Sequence, residues 1–137
     1  MTFKELDIKA CYESGTNDII EEFYDPVLSL STRYDRIAGF FSSSAMAIVA
    51  RGMSQFLMNG GRMRLITSPI LNPSDADIIR KLTEKPEALS SEDLGINLQN
   101  IADAFTSNHV KALGWLLKNG YLDIRLAIVV NDKGVWN

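Results

Sequence analysis

The feature that most constrains this chain is a strand–helix–strand pattern in its first half. Residues 33–41 gather aromatic and β-branched side chains around Gly39, which predicts a buried strand. Apolar residues from Met46 to Leu57 recur every three or four positions and end at Asn59–Gly61, which predicts one continuous helix. Residues 62–67 then predict a second strand. A βαβ unit of this kind requires parallel strands and a right-handed crossover, so the sequence predicts an α/β fold.

The other elements follow from the same spacing and capping rules. We expect a helix over 17–31, capped by Thr16 or Asn17 and broken by Pro26, and a second helix over 72–82. A surface loop over 85–91 and a helical run over 98–116, which residues 106–108 could split, should follow. The last predicted elements are a strand over 121–130 and a turn over 131–134. Together they predict a mixed, largely parallel sheet flanked by helices.

Composition narrows the class of protein. The chain has 137 residues, of which 46% are hydrophobic and 23% charged, so disordered, collagenous and disulfide-rich classes are excluded and a single domain is expected. Its longest apolar runs fall short of a membrane span and its first residues do not resemble a signal peptide, so we expect a cytoplasmic protein that binds no membrane. Cys11 is the only cysteine, is interpreted as a small apolar residue, and predicts neither a disulfide nor a zinc site.

Positive charge is concentrated in one stretch although the net charge is −3. Residues 33–64 hold five arginines and one acidic side chain, whereas residues 1–32 hold two basic and seven acidic ones. Arginine suits phosphate because its planar fork matches the phosphate oxygens. We therefore take Arg36, Arg62 and Arg64 as candidate nucleic-acid-binding residues, with an ordinary solvated surface as the alternative.

Serine residues lie where two predicted strands end. Ser42, Ser43 and Ser44 stand between the first strand and its helix, where free N–H groups and the helix dipole favour an anion such as phosphate. Ser68 ends the neighbouring strand, and ligands of open α/β sheets gather at these carboxyl ends. Simple helix capping by serine is the alternative interpretation.

The single histidine begins an incomplete catalytic motif. His109 and Lys111 match the opening of His-x-Lys-x(4)-Asp, but Leu116 stands where the aspartate belongs. His109 also falls in an apolar helical stripe, so a packed or capping histidine is expected rather than a catalytic one. The acidic pair Asp75 and Asp77 lies near a helix start, where dipole complementarity explains it without a metal. No cofactor motif is present, and neither a metal nor a cofactor is expected.

Two segments resemble a known family. Residues 23–69 contain Phe23-Tyr24-x-Pro26, Tyr34-Asp35, Gly39-x-Phe41-Ser42-Ser43, Gly60-Gly61 and Ser68-Pro69 in that order, and residues 112–129 read ALGWLLKNGYLDIRLAIV. Both segments resemble the start of the phospholipase-D-like domain found at the N-terminus of bacterial helicases and related DNA-processing or defence proteins. The resemblance implies a mixed sheet with flanking helices that cleaves phosphodiesters, often in DNA, by histidine attack without a metal.

The resemblance stops short of the catalytic motif. In the family the His-x-Lys strand follows the turn that corresponds to residues 131–136, and this sequence ends at Asn137, so no catalytic residue carries over. Gly39, Ser42, Ser43 and Ser68 carry over as walls of a phosphate crevice. The expected function is therefore that of a catalytically incomplete N-terminal portion of a phospholipase-D-like nuclease domain, with DNA as partner through the parent protein. The alternative is a non-catalytic module that recruits nucleic acid, or that pairs with a partner or forms a homodimer through its terminal hairpin.

Overall fold

The chain folds as an α/β unit, which confirms the predicted fold class. The computed structural model describes residues 2–13, 15, 18–85, 95–128, 130–131 and 134–135. Its parallel sheet has the order β1-β2-β3, with β1 at Arg33–Ala38, β2 at Arg62–Thr67 and β3 at Leu122–Leu126. A separate antiparallel pair joins β4 (Val130–Asn131) to β5 (Gly134–Val135). The helices are α1 (Asp25–Leu30, preceded by a π-helical stretch over Ile20–Tyr24), α2 (Ser43–Ile48), α3 (Ala50–Met58), α4 (Pro73–Glu84), α5 (Ile101–Ser107) and α6 (His109–Lys118), and a 3-10 turn spans Phe3–Glu5.

The starts of three helices are fixed by side-chain caps. Ser42 Oγ accepts a hydrogen bond from the Ala45 N–H at the start of α2, at 3.3 Å. Asn72 and Asn108 do the same for α4 and α6, accepting from the N–H groups two and three residues further on. These caps confirm that the polar residues at 42, 72 and 108 begin helices.

The helices differ from the prediction in continuity. The helix expected from Met46 to Leu57 is two helices, because Val49 leaves helical geometry at φ −103° and ψ 18°. The helical run predicted over 98–116 is divided into α5 and α6 at Asn108, which is one of the polar residues 106–108 predicted as a possible break. The helix over 17–31 is present from residue 19 as the π-helical stretch and α1, but its suggested caps at 16 and 17 lie outside the described residues, as do residues 86–91 of the predicted loop.

Two strands are shorter than predicted. β1 ends at Ala38 rather than at residue 41, and Phe41 forms only an isolated parallel bridge with Leu71. Aromatic content extended the prediction too far, since Phe40 is exposed while Phe41 is buried. β3 ends at Leu126, and Val130 and Asn131 belong to the antiparallel pair instead. The predicted turn residues 132 and 133 lie outside the described part of the chain.

Within the described residues, helices cover the parallel sheet on one face only. In β2, Met63, Leu65 and Thr67 are buried, whereas the alternate residues are exposed. The prediction that residues 33–41 form a buried strand is wrong for β1, because Tyr34 and Ala38 are only half-buried and its other four residues are exposed. The strand order explains this, because two crossovers of the same hand that step in the same direction place their helices on the same side of the sheet.

The core lies between this face and the helices. It is built on fully buried side chains from each layer, among them Phe56, Leu65, Phe105 and Leu113. Trp115 belongs to it and stacks on Tyr121 at 5.1 Å between ring centroids. Cys11, in contrast, is exposed rather than packed. None of the helices within the described residues is long and apolar enough to cross a membrane.

Candidate functional site at the carboxyl edge of the sheet

Three helices begin at the edge where the parallel strands end. Helix α2 starts just after β1 and α4 just after β2, so their first turns lie at the carboxyl edge. Helix α6 ends just before β3 begins, which places its first residue at the same edge. Ser43 opens α2, Asp75 lies in the first turn of α4, and His109 opens α6. The fold thus brings three polar side chains together from positions 32 and 66 residues apart.

These residues form a hydrogen-bonded cluster, Asp75–Ser43–His109. The Ser43 N–H donates to Asp75 Oδ2 at 2.8 Å, and the Ser43 hydroxyl donates to Asp75 Oδ1 at 2.5 Å. Ser43 Oγ also lies 2.6 Å from His109 Nδ1. A hydroxyl has one proton, and here the carboxylate receives it, so Oγ accepts from an Nδ1–H group. The cluster therefore assigns the neutral imidazole the tautomer whose lone pair lies on Nε2.

The members of the cluster differ in burial, since Ser43 and Asp75 are buried and His109 is partly exposed. Ser43 is 0% exposed and Asp75 is 1% exposed. A buried carboxylate is costly unless it is hydrogen-bonded, and both oxygens of Asp75 meet this condition through Ser43. His109 is only partly buried. Among the described residues, no group hydrogen-bonds to Nε2. Two buried side-chain atoms lack a hydrogen-bond partner, Asp25 Oδ1 and Thr67 Oγ1, and Nε2 is not one of them, so it is accessible to solvent. Nε2 is thus the atom through which the cluster can meet a ligand.

The predicted phosphate candidates are largely engaged within the protein. Ser43 is a correction to the prediction, because its N–H and hydroxyl are both used by Asp75 and it has no exposed surface. The anion at the start of α2 is the Asp75 carboxylate. The hydroxyls of Ser42 and Ser44 lie 3.1 Å from each other, and the Ser68 hydroxyl donates to the Gly39 carbonyl at 2.7 Å. These contacts support the capping interpretation for Ser42 and a loop-fixing role for Ser68.

The predicted arginines do not form one patch, which corrects the grouping made from the sequence. Arg62 and Arg64 project from the uncovered face of the sheet. Arg36 pairs in register with Leu65, whose side chain is fully buried, and therefore projects from the opposite face, where it contacts Tyr34. Burial raises the pKa of Tyr34, and the Arg36 charge partly offsets this. The alternative interpretation of these arginines was an ordinary solvated surface, and it fits Arg36, which is exposed.

Arg62 and Arg64 each contact a neighbouring side chain. The Arg64 guanidinium forks onto both oxygens of Asp35, at 2.8 and 2.7 Å. This hydrogen bond, helped by the Arg33 charge, lowers the pKa of Asp35 to about 2. The Arg62 guanidinium lies 4.5 Å from the ring centroid of Tyr121. Arg62 and Arg64 therefore already have partners within the protein.

The sequence did not reveal the Asp75–Ser43–His109 cluster. His109 was expected to pack or cap, and Asp75 was assigned to the helix dipole alone. A usable signal was present, because each residue stands at the start of a helix and the βαβ pattern places such starts at one edge. The separation of the three residues along the chain hid which of them would touch.

The cluster has the residue types of acid–base or anion-binding chemistry rather than of a metal centre. Within the described residues no group of three or more His, Cys, Asp or Glu side chains could hold a metal ion. Comparison of the chain with protein-family models, with curated proteins and with solved structures finds no match in any of the three. The fold and the geometry of the carboxyl edge are therefore what support a function.

Proposed function

We propose that this chain is the N-terminal portion of a phospholipase-D-like phosphodiesterase or nuclease domain of a helicase-linked DNA-processing or defence protein. It forms one wall of a phosphodiester crevice and does not hydrolyse the substrate itself. The observation that carries the proposal is the Asp75–Ser43–His109 cluster at the carboxyl edge of a parallel sheet. Ligands of open α/β sheets bind at this edge.

His109 supplies the binding group of this wall. Its Nδ1–H is fixed by Ser43, so the ring cannot turn freely and Nε2 keeps one direction. When Nε2 is protonated it donates a charge-assisted hydrogen bond to a phosphodiester oxygen. The Asp75 carboxylate fixes the Ser43 hydroxyl, which in turn fixes the orientation of the ring. This role is that of a positioning residue and includes no covalent step.

His109 and Lys111 cannot act as the His-x-Lys pair of the family. On a strand, residues two apart project from the same face, but His109 and Lys111 lie in the first turn of a helix, where such residues point in different directions. Leu116, at the position of the motif aspartate, is 1% exposed and belongs to the core. Hydrolysis therefore requires catalytic residues other than these.

A hydrolysis assay tests the catalytic half of the proposal. The purified chain is incubated with bis-p-nitrophenyl phosphate and with labelled single- and double-stranded DNA, in EDTA. We expect no turnover above buffer. Metal-independent hydrolysis that is lost in His109→Gln would show a complete active site and refute the proposal. Sequencing the gene downstream of the Asn137 codon tests the family directly, since an open frame without His-x-Lys contradicts it.

Binding is tested at His109 itself. An oligonucleotide is titrated into labelled protein while the imidazole resonances are followed by NMR. We expect the His109 ring signals to shift in a saturable way, and His109→Gln to weaken binding severalfold, while the control Lys118→Gln, at the other end of α6, leaves it unchanged. Shifts confined to other surfaces would contradict a crevice at the carboxyl edge.

The alternative of a non-catalytic interaction module has its own support. Val130 in β4 is 65% exposed, and the β4–β5 pair is a two-stranded ladder separate from the main sheet. Strand edges of this kind can pair with a second copy. Sedimentation over a wide concentration range tests this alternative. A dimer that Val130→Asp dissociates would favour it, and a monomer throughout would remove its basis.

A further inference from the structure

The uncovered face of the sheet is a second surface, distinct from the carboxyl edge. We call it the outer face, and its side chains are Arg33, Asp35 and Ile37 from β1, Arg62, Arg64 and Ile66 from β2, and Asp123 and Arg125 from β3. All of them are exposed, and Ile37 is 84% exposed. Parallel sheets occur almost only with both faces covered. The outer face therefore has the character of a surface that another layer contacts.

Apolar and charged groups are arranged in rows across this face. Ile37 and Ile66 are register partners, so their side chains lie side by side beside Arg125. The next row toward the strand starts is Asp35–Arg64–Asp123, with the arginine in the middle. A groove of about 510 Å³ runs over these two rows. A ligand of this groove meets an apolar strip bordered by charge.

The charges of the outer face favour an acidic ligand. Four arginines stand against two aspartates, so positive charge is in excess. Asp35 is shared by Arg33, at 3.0 Å, and by Arg64. Within the described residues, the ion pair of Arg125 is a 3.4 Å contact with Asp123. The arginines of the outer face therefore still have N–H groups that can donate to carboxylates of a partner.

We propose that the outer face docks an amphipathic α-helix of a partner protein, with an apolar stripe on Ile37 and Ile66 and flanking Asp and Glu side chains on the arginines. The dimensions fit a single helix. Three strands spaced about 4.8 Å apart are roughly 10 Å across, which is the diameter of a helix with its side chains. A six-residue strand is about 20 Å long, which matches about 13 helical residues.

A second copy of the chain fits this face poorly. Suppose that the outer faces of two copies stack about a two-fold axis that passes through Arg64, in the middle of the row Asp35–Arg64–Asp123. Arg64 of one copy then meets Arg64 of the other. If that axis runs along the strands, Asp35 also meets Asp123 of the other copy. The excess positive charge is doubled as well. Like charges in direct contact oppose such a pairing.

Nucleic acid is also a weaker fit than an acidic helix. Single strands bind to sheet faces largely by stacking bases on aromatic rings, and the outer face offers two isoleucines instead. A phosphate would in addition have to displace the Asp35 carboxylate from Arg64, which holds it by two short hydrogen bonds.

Peptide binding tests the proposal with two matched probes. One is a labelled 14-residue amphipathic peptide with a leucine stripe and glutamate flanks, and the other has lysine in place of every glutamate. Fluorescence anisotropy is measured with the whole chain. We expect saturable binding of the acidic peptide, at least tenfold tighter than that of the basic one.

Variants locate the binding on the outer face. Ile37→Glu should weaken the acidic peptide at least tenfold, and Arg64→Ala severalfold. The control is Ile70→Glu, which changes an isoleucine that is 74% exposed but lies between β2 and α4. Because Ile37 is so exposed, its variant should keep the wild-type circular dichroism spectrum.

Four results would overturn the proposal. These are equal binding of both peptides, no saturable binding of either, wild-type binding by Ile37→Glu, and a face occupied by something else. The last would appear as an oligonucleotide that binds more tightly than the acidic peptide and is weakened by Ile37→Glu, or as a dimer that Ile37→Glu dissociates. The peptide and dimer readouts do not involve a phosphodiester, and the oligonucleotide readout is assigned to the outer face by Ile37→Glu rather than to His109, so this proposal and the proposed function can fail separately.

Discussion

Replacing Ser43 by alanine isolates the hydrogen-bonded cluster at the carboxyl edge. The substitution removes one hydroxyl and leaves the backbone bond from Ser43 N–H to Asp75 Oδ2 in place. Asp75 Oδ1 then loses its donor inside the protein, and His109 Nδ1 loses its acceptor. Both losses follow from a single atom.

The expected cost is about 2–3 kcal/mol of unfolding free energy, the usual size of a hydrogen bond to a charged group. Most of it arises at Asp75, which is 1% exposed and cannot replace the hydroxyl by bulk water. His109 is partly exposed, so water can hydrate its Nδ1 at little cost. For a chain of this size the cost corresponds to a melting temperature lower by roughly 6–12 °C.

Urea unfolding, followed by the fluorescence of buried Trp115 and by circular dichroism, measures this change. Ser44→Ala is the matched control, because Ser44 is exposed and, among the described residues, its hydroxyl contacts Ser42 alone. We expect the control to lie within about 0.5 kcal/mol of wild type. Equal stability of the two variants would refute the cluster. A neutral His109 whose NMR signals place the proton on Nε2 would refute the assigned tautomer.

Three further predictions concern charge and packing. Because the hydrogen bond from Arg64 holds the pKa of Asp35 at about 2, this carboxylate contributes stability above its unfolded-state pKa of about 4 and loses it as the pH falls toward 2. NMR titration should therefore show the Asp35 midpoint rising toward 4 in Arg64→Gln, and an unchanged midpoint would contradict the contact. Phe105→Ala, at a side chain with 0% exposure, should cost about 3–5 kcal/mol in urea unfolding, and a loss below 1 would place Phe105 outside the core. Gly52→Ala should destabilise by about 1–2 kcal/mol despite alanine's better helix propensity, because its Cβ would lie 2.9 Å from Asp25 Cα in α1, and a stabilised variant would show that α1 and α3 are further apart.

Local signals were enough to predict most of the fold. Asn72 followed by Pro73 fixes the start of α4, and the alternation of Arg62 to Thr67 fixes β2 residue by residue. What local signals could not show is which face of the sheet is covered. Apolar residues occur on both faces of β1 and β2, and Ile37 is as apolar as any core residue. Coverage depends on the direction in which the strands step, which is a property of the whole chain.

The candidate site was predicted only in its location. The sequence placed Ser43 at the carboxyl edge, but it could not show that Asp75 occupies the position expected for a phosphate. A buried anion supplied by the protein and an anion supplied by a ligand satisfy the same N–H group. Only the contact between α2 and the first turn of α4 distinguishes them, and that contact joins residues 32 positions apart.

The winding of the sheet also explains why two separate surfaces are expected in so small a unit. Strands added in one direction put the starts of α2, α4 and α6 at the carboxyl edge, and they put the helices of both crossovers on one face. Because these helices start at the same edge, Ser43, Asp75 and His109 come together. Because the helices lie on one face, Ile37 and Arg64 are exposed on the other. A sheet that reversed direction would have covered the outer face with its own helices. The two proposed sites, at the carboxyl edge and on the outer face, do not share a side chain, so we expect an oligonucleotide at His109 and an acidic helix on the outer face to bind at the same time.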